Sequence, residues 1–212
     1  MSCFSCPGQE LTKKGVKKPQ VIQAKQASPT IDGMVDEVWK KSSPVSVNRS
    51  VASLLRMDAK DMATASVQLL WDEQHLYALW HVSDSKLSVD AGDDWEQDSV
   101  ELFLDRNFKR SIFYQFDDAQ YRSNYEGRRS GQGEGYVHDE FVASASKTAD
   151  GYLVEMSILI VGDKLEVGRK MGVEMQVNDN RGGVGREAVA KWNHTEDDSW
   201  EDTSNFGVVE LQ

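Results

Sequence analysis

The chain has 212 residues, and its 35 acidic residues outnumber 24 basic ones, giving a net charge of −11. Such a balance argues against nucleic acid, which requires a basic surface, and against anionic membranes. It permits neutral ligands, and calcium, which takes oxygen ligands from carboxylates and carbonyls. The sequence contains no run of about 18 apolar residues, so it predicts no membrane-spanning helix.

The first 20 residues are predicted to form a flexible tail or linker, because they combine glycine, proline and lysine without periodicity. Cys3 and Cys6 lie there in a C-x-x-C spacing that redox and metal sites also use. No second cysteine pair accompanies them, which favours a linker remnant. The chain start lacks the pattern of a signal peptide, so a secretion signal is expected upstream. Residues 21–212 are predicted to form a single domain.

Short stretches of alternating apolar and polar residues, separated by turn residues, recur through the rest of the chain and predict about ten or eleven strands. The expected fold is all-β: an antiparallel, jelly-roll-like β-sandwich with one or two short helical turns, one ending near Trp39. The predicted strands are Val21–Lys25, Ala63–Trp71, His75–Asp84, Asp98–Asp105, Ile112–Asp117, Ala119–Tyr125, Glu140–Thr148, Tyr152–Leu159, Met171–Asn178, Ala188–Trp192 and Phe206–Leu211.

The segment Trp95–Asp105 carries a pattern that suits a sugar. Read as a single strand, it places Trp95 and Glu101 on one face and Val100 and Leu102 on the other. An indole stacks on the apolar face of a pyranose, and a carboxylate accepts hydrogen bonds from its hydroxyls. The alternative interpretation is that Trp95 belongs to the core and Glu101 is solvated.

Two further strands carry rows of polar side chains. Arg122 shares a face with Asn124, and Gln176 shares a face with Asn178. Trp200 ends a polar loop that offers it no core to join. These groups supply aromatic platforms and directional hydrogen-bonding partners, although such rows are often only solvated faces. The remaining tryptophans are assigned to the core: Trp39, Trp71, Trp80 and Trp192.

Six segments in order resemble the family 9 carbohydrate-binding modules found appended to xylanases, and the likeness covers about residues 21–212. They are Ile31–Trp39, Leu70–Tyr77, Trp95–Glu101, Gln120–Tyr125, Gln176–Asp179 and Asp198–Trp200. The resemblance implies a secreted, non-catalytic module that grips the reducing ends of cellulose and xylan chains and binds glucose, xylose and cellobiose.

The resemblance also implies which residues bind the sugar. Trp95 and Trp200 match two tryptophans that sandwich the terminal sugar. The residues that match its hydrogen-bonding partners are Glu101, Arg122, Asn124 and Gln176. Asp197 is also included in the predicted sugar site. The resemblance implies asparagines just before the second tryptophan, where this chain has Asp197 and Asp198. An ionised aspartate cannot donate a hydrogen bond, so affinity or sugar preference is expected to differ.

The family is described with bound calcium, and acidic residues crowd the loop before the Trp95 segment. Carboxylates at this density repel one another unless a cation or water screens them. The predicted calcium ligands are Asp84, Asp90, Gln97 and Asp98. A calcium ion here would also hold Trp95 in place. The alternative is a solvated acidic loop.

Three other function classes remain open at the sequence level. A glycosidase needs two positioned carboxylates, but Glu101 and Asp98 fall on opposite faces of their predicted strand. A haem or redox module needs an axial ligand pair; His81 and several methionines are present, but no pattern marks a porphyrin pocket. A sandwich that only contacts other proteins is the third.

Overall fold

A computed structural model describes residues 18–162 and 164–212. Cys3, Cys6 and most of the predicted tail lie outside these residues, so the interpretation of the tail stays a prediction. Within the described residues, no helix is both long and apolar enough to cross a membrane.

The fold is all-β, as predicted, and its only helical elements among the described residues are three short 3-10 turns. The turns are Glu37–Lys41, Asp94–Glu96 and His138–Glu140. The strands are β1 Val21–Gln26, β2 Val45–Val47, β3 Arg49–Ser50, β4 Thr64–Trp71, β5 His75–Ser83, β6 Ser99–Asp105, β7 Asp118–Asn124, β8 Arg129–Gln132, β9 Phe141–Lys147, β10 Gly151–Leu159, β11 Lys170–Asp179, β12 Ala188–Lys191 and β13 Gly207–Leu211.

The strands form two layers that share β1. One layer runs β8-β7-β6-β11-β13-β1, with β12 on β11 and β3 on β12; the other runs β1-β4-β5-β10-β9, with β2 on β4. The first half of β1 pairs with β13 and its last two residues pair with β4, both in parallel. All other pairings of the described strands are antiparallel. Parallel neighbours need a long connection, and here most of the domain separates β1 from β13.

The six tryptophans divide as predicted between core and surface. Trp39, Trp71, Trp80 and Trp192 are at most 1% exposed, whereas Trp95 is 45% and Trp200 is 49% exposed. Three of the buried ones pack in the main core between the layers, and Trp39 belongs to a smaller cluster with Leu70 and Leu79. Burying such side chains contributes on the order of 25 cal/mol per Å² of apolar surface.

One predicted strand is absent, and one segment begins differently from the prediction. Residues 112–117 form a loop, in which the backbone N–H of Gln115 donates to the side chain of Asp118 at 2.6 Å. Side-chain acceptors of this kind compete with strand pairing. Trp95 lies in a 3-10 turn rather than at the start of a strand, and β6 begins only at Ser99. The sequence did not predict the short strands β2, β3 and β8, because they have too few residues to show a period-2 pattern.

The register of four neighbouring strands positions one polar row. Arg122 on β7 lies opposite Glu101 on β6, which lies opposite Gln176 on β11, which lies opposite Lys191 on β12. Directly opposed residues share a face of the sheet. The intervening residues, such as Leu102, point into the core, so this row lies on the outer face.

Candidate functional site

A cavity of about 230 Å³ lies over the polar row. This volume is somewhat below the roughly 300–1,000 Å³ of typical ligand pockets, so it suits a small ligand or the end of a longer one. Its lining consists of Trp95, Glu101, Phe103, Gln120, Arg122, Gln132, Gln176, Arg186, Asp197, Ser199 and Trp200. Aromatic rings and planar polar groups thus meet in one place.

Glu101 is the centre of the cavity floor. One carboxylate oxygen accepts hydrogen bonds from Arg122 Nε at 2.6 Å and Asn178 Nδ2 at 2.7 Å. The other accepts from Gln120 Nε2 at 2.6 Å and, more weakly, from Gln176 Nε2 at 3.4 Å. Burial alone would raise the pKa of Glu101, but the guanidinium of Arg122 and these hydrogen bonds hold it below its usual range. The ionised Glu101 therefore orients the surrounding donors.

Gln120 lines the cavity and holds an unpartnered acceptor. Its amide nitrogen donates to Glu101, but its Oε1 is buried and has no hydrogen-bonding partner among the described residues. A buried acceptor without a partner costs about 1–3 kcal/mol. Arg122 lies beside it, with Nη1 donating to Ser130 Oγ at 3.0 Å.

The two exposed tryptophans reach the cavity from different segments. Trp95 comes from the 3-10 turn before β6, and Trp200 comes from the loop after β12. Trp200 Nε1 donates to the carbonyl of Asp197 at 3.2 Å, which ties the indole to its own loop. Both rings leave about half of their surface to solvent, so both can contact a ligand.

Arg186 connects these two segments. Its Nη2 lies 2.9 Å from Asp197 Oδ2 in the Trp200 loop, and its backbone N–H donates to Glu96, beside Trp95, at 2.5 Å. Its Nη1 donates to Asn178 Oδ1 at 3.1 Å. Burial raises the pKa of Asp197, and the positive charge of Arg186 opposes that rise. Asp197 is thus paired within the protein.

The structure brings most of the predicted sugar-binding residues together. The lining includes Trp95, Trp200, Glu101, Arg122, Gln176 and Asp197. Asn124 is placed elsewhere. Its Nδ2 donates to Gln97 Oε1 at 3.0 Å, and its Oδ1 accepts the backbone N–H groups of Glu126 and Arg128 at 3.0 and 2.9 Å. Its amide therefore stabilises the turn after β7.

Several residues that line the cavity were not predicted from the sequence. They are Phe103, Gln120, Gln132, Arg186 and Ser199. Phe103 and Gln120 lie on the same strand faces as Glu101 and Arg122, so period-2 alternation could have indicated them. Arg186 follows the glycine-rich turn 182–185, where no periodicity exists to mark it.

Three buried carboxylates meet near the Trp95 segment. Oxygen atoms of Asp84, Asp98 and Asp179 lie within 4.8 Å of one another. Asp84 and Asp98 were predicted calcium ligands, and Asp179 was not. Asp90 is not part of this group of carboxylates, and its Oδ2 lies 3.4 Å from Ser88 Oγ. Gln97 Nε2 donates to the carbonyl of Ala91 at 3.0 Å, and its Oε1 accepts from Asn124 Nδ2 at 3.0 Å.

This carboxylate trio has the properties of a cation site. Burial, reinforced by the neighbouring carboxylates, raises the pKa of Asp98 to about 8 and that of Asp84 to about 6. Asp84 Oδ2 and Asp179 Oδ1 are buried oxygens without partners among the described residues. A second trio comprises Asp105, Asp117 and Asp118, again with an unpartnered buried oxygen on Asp118. Carboxylate oxygens are the ligands that Ca²⁺ prefers.

Comparison with known proteins relates this geometry to one family. The family described as carbohydrate family 9 binding domain-like matches residues 31–212. "Exoglucanase XynX" of Acetivibrio thermocellus is 36% identical over 92% of this chain, which covers 17% of that protein. Endo-1,4-beta-xylanase A of Thermotoga neapolitana is 35% identical over 90% of the chain, covering 18% of that protein. The chain thus spans less than a fifth of these relatives.

Solved structures agree with the sequence match. A family 9 carbohydrate-binding module from Caldicellulosiruptor kristjanssonii, in complex with cellotriose, superposes with a TM-score of 0.83 at 32% identity, covering 91% of this chain and 94% of that one. The same module in complex with glucose gives the same score, with 96% of that chain covered. The chain belongs to the family 9 carbohydrate-binding domains and is a binding module rather than a catalytic domain.

Proposed function

We propose that the cavity binds the reducing end of cellulose and xylan chains, together with glucose, xylose and cellobiose, in a slot between Trp95 and Trp200. The observation that carries the proposal is one cavity that combines two half-exposed indoles with a floor of oriented polar groups. The solved relative in complex with cellotriose and with glucose supports this ligand class.

The chemistry divides between the rim and the floor. The indoles stack on the apolar faces of the terminal sugar ring. On the floor, Gln120 Oε1 accepts a hydrogen bond from one sugar hydroxyl, and Arg122 donates a hydrogen bond to another. A hydrogen bond to a charged group contributes about 1.5–3 kcal/mol. Glu101 keeps these partners in place, because its oxygens hold the side chains of Gln120 and Arg122.

A reducing end carries a free anomeric hydroxyl that the interior of a chain lacks. In the proposal, this hydroxyl is the group that the polar side chains of the cavity floor recognise. We further propose that the parent protein carries a xylanase domain and acts outside the cell on plant cell-wall polysaccharide. The xylanase names of the relatives support this.

Calorimetry with cellobiose, xylobiose and glucose tests the proposal when it is run beside cellobiitol, in which the terminal sugar is reduced to an open-chain alditol. Binding of the native sugars and loss of binding to cellobiitol are expected. Equal affinity for cellobiose and cellobiitol would contradict the reducing-end proposal. Absence of heat with every sugar would contradict sugar binding at this cavity.

Trp95→Ala and Trp200→Ala test the slot. Stacking platforms act as hot spots with losses of about 2 kcal/mol or more, which is a fall in cellobiose affinity of roughly 30-fold. Phe113→Ala is the matched control, because Phe113 is an aromatic residue 70% exposed and outside the cavity lining. Unchanged affinity in both tryptophan variants would rule out the slot.

We also propose that calcium binds the trio Asp84, Asp98 and Asp179, and that the second trio is a weaker candidate. The buried oxygens without partners and the mutual repulsion of the carboxylates support a divalent cation there. Asp98 lies three residues after Trp95, so a cation at the trio would also restrain that tryptophan.

A further inference from the structure

Lys191 is a buried cation directly beneath the loop that carries Trp200. It is fully buried at the end of β12, in the same cross-strand row as Gln176 and Glu101. Its Nζ donates to the carbonyl of Glu196 at 2.8 Å and to Ser199 Oγ at 2.5 Å. Both acceptors belong to the loop 193–200, and Ser199 immediately precedes the tryptophan.

Glu174 secures the other end of the same loop. It lies on β11 two residues before Gln176 and therefore on the same outer face. Its Oε1 accepts the backbone N–H of Trp192 at 3.2 Å and that of Asn193 at 2.8 Å, and its Oε2 accepts that of His194 at 2.7 Å. Both ends of the loop are thus tied to side chains of one sheet.

Burying charged side chains here costs free energy that apolar side chains at the same positions would not cost. Burial lowers the pKa of Lys191, while the carboxylates of Glu174, Asp198, Asp197 and Glu101 raise it. Removing a charged group from water is unfavourable unless the group is paired and hydrogen-bonded. A methionine would fill a similar volume, but it would neither balance the buried charge of Glu174 nor donate to two loop acceptors. The ammonium therefore compensates Glu174 and anchors the loop.

We propose that Lys191 is a positioning residue of the sugar site, whose ammonium orients residues 196–199 so that Trp200 lies at the cavity. The proposal rests on the slot described under Proposed function. Two other contacts assist it without replacing it: Tyr114 Oη donates to the carbonyl of Ser199 at 2.6 Å, and Gln132 Nε2 donates to the carbonyl of Trp200 at 3.3 Å.

A double-mutant cycle on cellobiose affinity tests whether Lys191 acts through Trp200. Lys191→Met alone is expected to weaken binding by about tenfold, equivalent to 1.4 kcal/mol. In a Trp200→Ala background the same substitution is expected to have little further effect, since residues that act as a unit are not additive. Lys147→Met, at an exposed lysine on β9, is the matched control and should leave affinity unchanged.

Fluorine NMR of protein labelled with 5-fluorotryptophan gives a readout that general destabilisation would not produce. The Trp200 resonance, assigned by its loss in Trp200→Phe, should shift in Lys191→Met while those of Trp39, Trp71 and Trp80 stay in place. Ser199→Ala provides a second variant that keeps Lys191 and Glu174 intact. Because Ser199 also lines the cavity, the shift of the Trp200 resonance is its deciding readout if Lys191→Met does not fold. Ser199→Ala should move the same resonance and weaken binding.

The outcomes separate this inference from the proposed function. If Trp200→Ala binds cellobiose normally, the slot itself is wrong. If Trp200→Ala weakens binding but Lys191→Met and Ser199→Ala do not, only the positioning role is overturned. Additive losses from Lys191→Met and Trp200→Ala would also overturn it, because Lys191 would then act by another route.

Discussion

Single residues at this site act mainly by arranging other residues. Glu101 has both oxygens occupied by protein donors, so its charge organises Arg122, Gln120 and Asn178. Asp197 accepts a hydrogen bond from Arg186 Nη2 at 2.9 Å. The linear sequence does not reveal this partner.

The Asp197–Arg186 pair predicts a pH dependence of binding. Burial raises the pKa of Asp197, so this residue becomes protonated at a higher pH than an ordinary aspartate as the solution is acidified. Protonation ends the ion pair with Arg186, and cellobiose affinity is expected to fall. Calorimetry across the acidic range should show this fall in the wild type and in Asp139→Asn, an exposed control, but not in Asp197→Asn.

Protonation of Asp197 is expected to weaken sugar binding but not to lower the free energy of unfolding. A carboxyl whose pKa is higher in the folded than in the unfolded protein makes folding more favourable as it is protonated. Asp197 itself should therefore not lower the free energy of unfolding when the pH falls. Parallel losses of affinity and of Tm over the same range would indicate general acid unfolding and contradict the role given to Asp197.

At the level of strands, register decides which side chains meet. Alternation places Glu101, Arg122 and Gln176 on strand faces, but only the pairing of β7, β6 and β11 aligns them in one row. The edge strand β8 supports this row through Ser130, which accepts from Arg122. Gly131, opposite Tyr121 on β7, allows β8 to approach closely.

Gly131→Ala is expected to push β8 away from β7. A Cβ at this position would lie 2.3 Å from the carbonyl oxygen of Gln120 and 2.4 Å from the ring of Tyr136. Overpacking of this kind costs about 1–3 kcal/mol, measurable as a lower free energy of unfolding in urea, and it should also weaken cellobiose binding. Gly92→Ala is the control, because nothing lies within 4 Å of its added Cβ. Equal stability of the two variants would refute the tight approach.

At the scale of the whole molecule, the carboxylate trio joins distant parts of the fold. Asp84 follows β5 of one layer, whereas Asp98 precedes β6 and Asp179 ends β11 of the other layer. A cation shared by the three would connect the two layers beside the Trp95 turn. The same end of the sandwich would thus carry both a stabilising ion and one wall of the proposed slot.

Calcium is therefore expected to raise Tm, and a chelator is expected to lower it. Calcium at about 100 times its Kd would stabilise the fold by about 2.7 kcal/mol. Differential scanning calorimetry of Asp84→Asn should show the calcium-dependent increase reduced or abolished, whereas the exposed control Asp139→Asn should keep it. A wild-type Tm that is the same in calcium and in chelator would contradict the proposed ion.

Local pattern in the sequence was sufficient for the fold class, most strand positions and the separation of the six tryptophans into four buried and two exposed. Alternation of apolar and polar residues is a local property, so it can be read without knowing which strands pair. It failed at residues 112–117, where the Asp118 side chain accepts the backbone N–H of Gln115, and at Trp95, where a 3-10 turn interrupts the alternation.

The family resemblance favoured sugar binding over the enzyme and haem alternatives, and the comparisons confirm the family. Only the tertiary structure decided which polar groups share a cavity. It brought Arg186 and Gln120 to the site, used the Asn124 side chain to hold the turn after β7, and joined Asp179 to Asp84 and Asp98. The physical reason is that strand register and loop contacts join residues far apart in the chain, and no local period encodes them.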